Sequence, residues 1–248
     1  MKNWQIFDRL NQENGVIAGS TTKDNSFGYN FSLATHTGEE LQKILKNRDF
    51  FAKNFPSNFG FISFVQIHSD IVKDISNYEK FEGWYQNIIE ADGMVTNKKG
   101  VVLTILTADC LALLAYDSIN RVIGAAHAGW RGVKQNIAKN LINKMELLGA
   151  KRENIIFALS PSIKGCCYEV GEEVAKNFFD FPNSLKKIDG KYMLDISIAQ
   201  KEQLLRLGIK ENNINVSPIC TSCSNDIYFS YRKECGCSGR FLNFIAME

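Results

Sequence analysis

Residues 101–116 read VVLTILTADCLALLAY, the longest apolar stretch of the chain, and they narrow its folding options more than any other segment. The run is interrupted by Thr104, Thr107 and Asp109 and falls short of the roughly 20 apolar residues that span a bilayer comfortably. It reads as buried core. Its two parts, Val101–Thr107 and Leu111–Tyr116, have the composition of strands, as do residues 59–66, 121–126, 155–160 and 214–218. Asp117-Ser118-Ile119-Asn120 is turn chemistry and predicts a hairpin between the strand ending at Tyr116 and the next one. A sheet containing a hairpin between such strands is mixed rather than purely parallel.

Helices fit between the strands. Residues 133–148 place Val133, Ile137, Leu141, Met145 and Leu148 on one face, with Gly149 suited to the C-terminal cap. Ser197-x-x-Gln200 predicts a capping box opening a second helix that Gly208 closes. A third helix, residues 39–55, would share Leu41, Ile44, Leu45 and Ala52 on one face, with Arg48 projecting from the middle of it. A buried guanidinium does not neutralise itself by losing a proton, so Arg48 needs either a structural partner or an anionic or polar substrate. No repeat, low-complexity tract or Pro/Gly/Ser linker divides the sequence. The expectation is α/β, a single domain over residues 1–248 with a mixed β-sheet and flanking helices.

Charge excludes several roles. Lys plus Arg total 29 against 27 Asp plus Glu, a net +2 that leaves no surplus to coat a phosphate backbone, so neither nucleic acid nor a membrane surface is expected as partner. Met1 to Asn14 carries Asp8 and Glu13 and lacks the apolar run of a signal peptide, which points to the cytoplasm. In a reducing compartment the 7 cysteines read as thiols or metal ligands rather than disulfides. Cys220-x-x-Cys223 with Cys235-x-Cys237 resembles a zinc knuckle, but the one-residue spacer of the second pair favours loop thiols.

There are 3 histidines. His36 lies in a Thr-His-Thr-Gly loop, while His68 and His127 are each expected just past an apolar strand, as is Cys110. Strand ends present side chains from a rigid rim. Two imidazoles and a thiolate suit zinc and leave a fourth tetrahedral position open, the signature of a catalytic rather than a structural site. On residue types alone, satisfied core histidines and an inert buried cysteine explain the same positions. The loop Ala125-Ala126-His127-Ala128-Gly129-Trp130-Arg131-Gly132 delivers the chain to a helix N-terminus, where an anion could sit near Arg131, unless that arginine is merely solvated. The sequence has no H-E-x-x-H, Walker loop, G-x-S-x-G or zinc-deaminase signature.

Seven strings, in order, carry a resemblance. They are VQIHS (65–69), EADG (90–93), LTADC (106–110), AAHAGWRG (125–132), SPSI (160–163), CCYEVG (166–171) and FSYR (229–232). The chain resembles the laccase-domain or "polyphenol oxidase" family of the YfiH type. That resemblance implies a purine nucleoside phosphorylase with adenosine deaminase activity, taking purine nucleoside and phosphate as partners: adenosine, inosine and S-methyl-5'-thioadenosine. By position it implies a zinc held by His68, Cys110 and His127, with Arg48 at the substrate; Cys110 and Asp109 are the candidate catalytic residues, and His36 and Arg131 join Arg48 as candidate substrate-binding residues. Asp92 and Asp109 would carry protons or orient a ligand imidazole, unless both are turn carboxylates. In such an enzyme either water displaces the amino group with zinc assistance or phosphate displaces the base at the ribose carbon. The chain departs from the family's Gly-Pro-Ser-Ile-Gly-Pro at Ser160–Gly165, and residues 30–38 are spaced differently; both bear on substrate preference. A monomer or weak homo-oligomer is expected. The alternatives are an editing enzyme for a muramyl nucleotide of the cell wall, a non-catalytic binding module, and a copper-dependent phenol oxidase. Three histidines are too few for a multicopper site, so copper would be an adventitious occupant of the zinc ligands.

Overall fold

A computed structural model describes residues 3–78, 83–236 and 239–248, with the side chains of 85–88 excluded. The apolar run folds into two successive strands, each covered on both faces. In chain order the strands are β1 (Trp4–Ile6), β2 (Val16–Thr21), β3 (Gly60–Val65), β4 (Val72–Asp74), β5 (Gly83–Glu90), β6 (Gly93–Thr96), β7 (Val101–Thr107), β8 (Leu111–Asp117), β9 (Val122–Ala128), β10 (Ile155–Leu159), β11 (Glu169–Val170), β12 (Leu185–Ile188), β13 (Lys191–Leu194), β14 (Ile214–Val216) and β15 (Phe241–Met247). The α-helices are α1 (Asp8–Asn11), α2 (Leu41–Ala52), α3 (Trp130–Lys134), α4 (Ile137–Leu147), α5 (Glu172–Ala175) and α6 (Ile196–Arg206). None of the described helices is long and apolar enough to cross a membrane.

The expected mixed sheet is in fact two six-stranded sheets, in the orders β1-β2-β15-β7-β3-β5 and β14-β10-β8-β9-β6-β4, with a small sheet β11-β13-β12 beside them. Period-two alternation accounts for the layering. Leu103 and Ile105 of β7 meet Ala112, Leu114 and Tyr116 of β8 and Ile123 of β9 in the core between the large sheets. Val102 and Leu106 turn the other way, onto Phe51 of α2 and Phe244 of β15. Leu111 and Leu113 face Ile137, Leu141 and Met145 of α4 and Leu204 of α6. Strands buried on both faces therefore read as nearly continuous apolar runs. The β8–β9 hairpin is as predicted: Asp117 pairs with Val122, and its carboxylate accepts the amides of Ile119 and Asn120.

Three local readings are corrected. The helix expected over 133–148 is broken into α3 and α4 at Asn136, which takes φ 65° and accepts a hydrogen bond from the Lys139 amide as N-cap. The cap of α6 is Asp195, whose carboxylate accepts the amides of Ser197 and Ile198. Ser197 instead lies inside the helix and donates to Asp195. On α2 the buried residues are Ile44, Asn47, Arg48 and Phe51, whereas Leu41 and Leu45 are 53% and 42% exposed. The apolar stripe is therefore rotated from the one expected, and Arg48 lies within it.

A candidate metal centre at the rim of two sheets

The chain crosses between the two large sheets at Ala108-Asp109-Cys110, from the end of β7 to the start of β8. Cys110 is thereby held at the rim of both. His68 stands three residues beyond β3, and Gln66 fixes that strand end: its amide donates to the Leu106 carbonyl at 2.8 Å and its oxygen accepts the Leu106 N–H at 2.9 Å. The third residue, His127, lies inside β9, paired with Ala112, rather than past the strand end as the sequence suggested. Between 108 and 112 the chain must turn sharply, and Asp109 takes φ 83°, while His68 takes φ 60°. Both are unusual for residues with a Cβ and mark backbone held in place by its surroundings.

These placements bring one ligand atom each of His68, Cys110 and His127 to within 4.8 Å of one another. The two imidazoles meet edge to face with centroids 4.8 Å apart. Two nitrogens and a sulfur at this spacing fit a tetrahedral zinc with its fourth position open. Gly129 supplies the clearance: a Cβ there would stand 3.2 Å from both Cys110 Sγ and His68 Cδ2. Gly129→Ala is expected to push the ligands apart and weaken metal retention roughly 10- to 100-fold, the scale of disturbing a ligand's support. Competition with a chelator of known affinity measures it.

Asp92 organises the group. It is fully buried, and its Oδ1 accepts Nδ1–H of His127 at 2.8 Å, which leaves Nε2 for the metal. The same carboxylate accepts the backbone N–H groups of Ile67, His68 and Ser69 and the Ser69 hydroxyl, and so fixes the strained loop that carries His68. The Asp92 carbonyl accepts the His127 amide at 2.6 Å. Of the three readings open to Asp92 in the sequence, these bonds support two, orientation of a ligand imidazole and capping of backbone amides, rather than proton carriage.

Electrostatics point the same way. Burial raises the Cys110 thiol, but the charge of His127 and hydrogen bonds from His127 and His68 outweigh it and bring Cys110 down to about 6. Burial lowers His127, yet Cys110 and Asp92 carry it up to about 9. Cys110 is thus held as the thiolate, the form that ligates metals, and the proton on His127 leaves when a metal binds.

A cavity of about 500 Å³ opens on these residues. Its wall includes His36, Asp109, Tyr168, Tyr231, Arg232 and Arg240 together with Trp130. Asp109 accepts the Thr221 hydroxyl at 2.7 Å and the Arg232 amide at 2.6 Å, holding the later loops against the site. Arg131 and Arg48 are not among the lining residues. Arg131 is exposed and stacks on Trp130 at 4.3 Å, and α3, where an anion was expected, is a five-residue turn. Arg48 is 2% exposed; its Nε donates to the Leu33 carbonyl at 2.9 Å and its guanidinium lies 4.8 Å from the Trp84 ring centre. Among the described residues no carboxylate lies within ion-pairing distance of it. Arg48 and Arg240 nevertheless act electrostatically on His36: burial first, then these two cations, lower His36 below its ordinary value. Tyr168, Arg232 and Arg240 were not singled out as site residues from the sequence, although Tyr168 and Arg232 fall within two of the seven strings.

Residues 17–248 match the family model described as multi-copper polyphenol oxidoreductase laccase. The chain is 29% identical over 262 residues to the purine nucleoside phosphorylase YlmD of Bacillus subtilis (strain 168), covering 100% of this chain and 94% of that protein. It is 31% identical over 242 residues to adenosine deaminase RL5 from an unknown prokaryotic organism, covering 91% and 92% respectively. The crystal structure of the Bacillus licheniformis hypothetical protein YfiH superposes with a TM-score of 0.88 at 25% identity, over 100% of this chain and 97% of that one.

Proposed function

The chain belongs to the multi-copper polyphenol oxidoreductase laccase family, and on that premise we propose that residues 1–248 form one zinc-dependent purine nucleoside phosphorylase domain. Its substrates are adenosine, inosine and S-methyl-5'-thioadenosine, and it also has adenosine deaminase activity. The observation that carries this reading is the meeting, in one cavity, of the His/Cys/His group with the Arg240 guanidinium and a His36 imidazole that burial, Arg240 and Arg48 hold toward its neutral form. The names of full-length relatives, purine nucleoside phosphorylase and adenosine deaminase, agree with it.

In phosphorolysis a phosphate oxygen bonds to the anomeric carbon of the ribose, the bond from that carbon to the purine nitrogen breaks, and free purine and ribose 1-phosphate leave. His68, Cys110 and His127 would hold the zinc, which would supply a Lewis acid to the cavity. The remaining work belongs to side chains. Trp130, Tyr168 and Tyr231 offer flat walls for a purine, while Arg240 and an N–H of His36 hold the anion, with the buried Arg48 acting only through its charge from behind the cavity wall. Asp109 acts through the Thr221 and Arg232 loops that it fixes, and Arg131, outside the lining, can act only through its stack on Trp130. The histidine count leaves too few imidazoles for a multicopper oxidase, so the family description does not carry that chemistry to this chain. Incubation with adenosine, with and without phosphate, tests the reading: adenine and ribose 1-phosphate form only with phosphate, and inosine forms without it. Absence of all three products from the zinc-loaded protein refutes it.

Arg48→Ala is expected to lower kcat/KM for phosphorolysis roughly tenfold, through loss of the positive charge behind His36 rather than of a direct contact, while zinc stays bound. Arg48→Lys restores only part if the planar fork is used. A folded, zinc-loaded Arg48→Ala protein as active as the parent assigns Arg48 to the α2 packing alone.

A further inference from the structure

Four cysteines meet outside the cavity. Cys166 and Cys167 come from the turn that follows Ser160–Gly165, and Cys220 and Cys223 from the turn that follows β14. Their sulfurs all lie within 4.8 Å of one another. The pairing differs from the knuckle considered in the sequence: Cys235 is not part of the group, and Cys237 lies outside the described residues.

We propose that Cys166, Cys167, Cys220 and Cys223 form a second zinc site, a closed structural site of four thiolates that clamps the two loops together. Three observations carry it. Cys223 Sγ lies 3.3 Å from Cys167 Sγ and 3.6 Å from Cys166 Sγ, close to the edge of about 3.8 Å of a tetrahedron with zinc–sulfur arms of about 2.3 Å. One disulfide would satisfy Cys223 with only one of these neighbours, whereas a metal at the centre satisfies all four.

Second, the loops are already in register around that centre. Ser162 and Cys220 form a parallel bridge, the Thr221 amide donates to the Ser162 carbonyl, and Ser224 N–H closes the Cys-x-x-Cys turn onto the Cys220 carbonyl at 2.9 Å.

Third, the charge is matched. Zinc with four thiolates carries a net −2, and the Lys164 side chain, only 8% exposed, stands near Asp195 first and then Cys220 and Cys166, where a positive charge offsets part of it. Its Nζ donates to the Ser197 hydroxyl at 2.7 Å. When the four thiols bind zinc they release their protons to solvent. The two loops thus clamped supply Ile163 and Tyr168 to the cavity wall and Thr221 to Asp109, so the site would brace the cavity without entering it.

The test is zinc content per chain, on protein purified and loaded under reducing conditions, for the parent, Cys110→Ala and Cys166→Ser/Cys223→Ser. The expected values are two, one and one. The zinc kept by Cys110→Ala should be replaceable by cobalt, giving the d–d spectrum of a four-thiolate tetrahedron. In the parent, alkylation of the exposed Cys166 and Cys223 should slow at least tenfold on zinc loading, a readout that needs no variant to fold. Cys110→Ala without zinc, unchanged alkylation of both cysteines, or a reducing-resistant disulfide from Cys223 to either neighbour would overturn the proposal.

Discussion

Cys110→Ala is expected to lower bound zinc by one equivalent per chain and kcat/KM for adenosine phosphorolysis by more than about 10³-fold, or roughly 4 kcal/mol of transition-state stabilisation. Two imidazoles remain, one on the loop after β3 and one inside β9, and they lose the one anionic ligand that offsets the metal's charge. The melting temperature should change little. Cys110 is a small residue at the rim, whereas the apolar cores lie between the two sheets and on their outer faces. Elemental analysis, kinetics and a thermal melt on one preparation separate these effects. A mutant with full zinc, or one with full activity, would dissociate Cys110 from the site.

Asp92→Ala should act on stability and metal together, because one carboxylate serves both. Its removal leaves the amides of Ile67, His68 and Ser69, the Ser69 hydroxyl and His127 Nδ1–H without their acceptor, all around a fully buried position. Breaking a buried charged network in this way costs about 3–5 kcal/mol. At about 2–4 °C per kcal/mol for a chain of this size, the melting temperature should fall by roughly 6–20 °C. Metal affinity should drop at least 10- to 100-fold as His68 and His127 lose their orientation. Burial raises the Asp92 carboxyl, but the hydrogen bonds from His127 and Ser69 outweigh it and hold it below its ordinary value. Its stabilisation is therefore complete above the unfolded carboxylate range, near pH 4, and is lost as pH falls through the folded value. A parent protein that loses more stability than Asp92→Ala on acidification fits this sign; equal losses do not.

The legible parts of this chain were those written in local chemistry. Val101–Thr107 reads as a strand because both faces are buried, and Asp117–Asn120 reads as a turn because an aspartate there can accept the amides that follow it. The two-sheet architecture was less legible, since β15 is inserted between β2 and β7 by pairing across more than a hundred residues. Arg48 was visible as an anomaly on an apolar helix, yet the stripe around it was drawn wrongly: Leu41 and Leu45 reach solvent while Asn47 is buried, its amide donating to the carbonyls of Gly28 and Ser32. Asn136 breaks its helix by a left-handed residue that also caps the next one, which helical periodicity does not register. In the site, His68, Cys110 and His127 were named from residue type and strand ends, and the family resemblance raised them above buried core residues. Orientation of a ligand imidazole was among the roles read for Asp92, but its hold on both histidine segments at once was not legible. A carboxylate 24 residues from His68 and 35 from His127 becomes their common anchor only when β3, β6 and β9 converge.

The central claim is that purine phosphorolysis runs on the metal held by His68, Cys110 and His127. The most direct measurement is phosphate-dependent release of adenine from adenosine by chelator-stripped protein and by the same preparation reloaded with zinc, with Cys110→Ala alongside. The account predicts that stripped protein is inactive, that zinc restores turnover, and that Cys110→Ala stays inactive when zinc is added. Full turnover by the stripped parent, or restoration of Cys110→Ala by zinc, would contradict it.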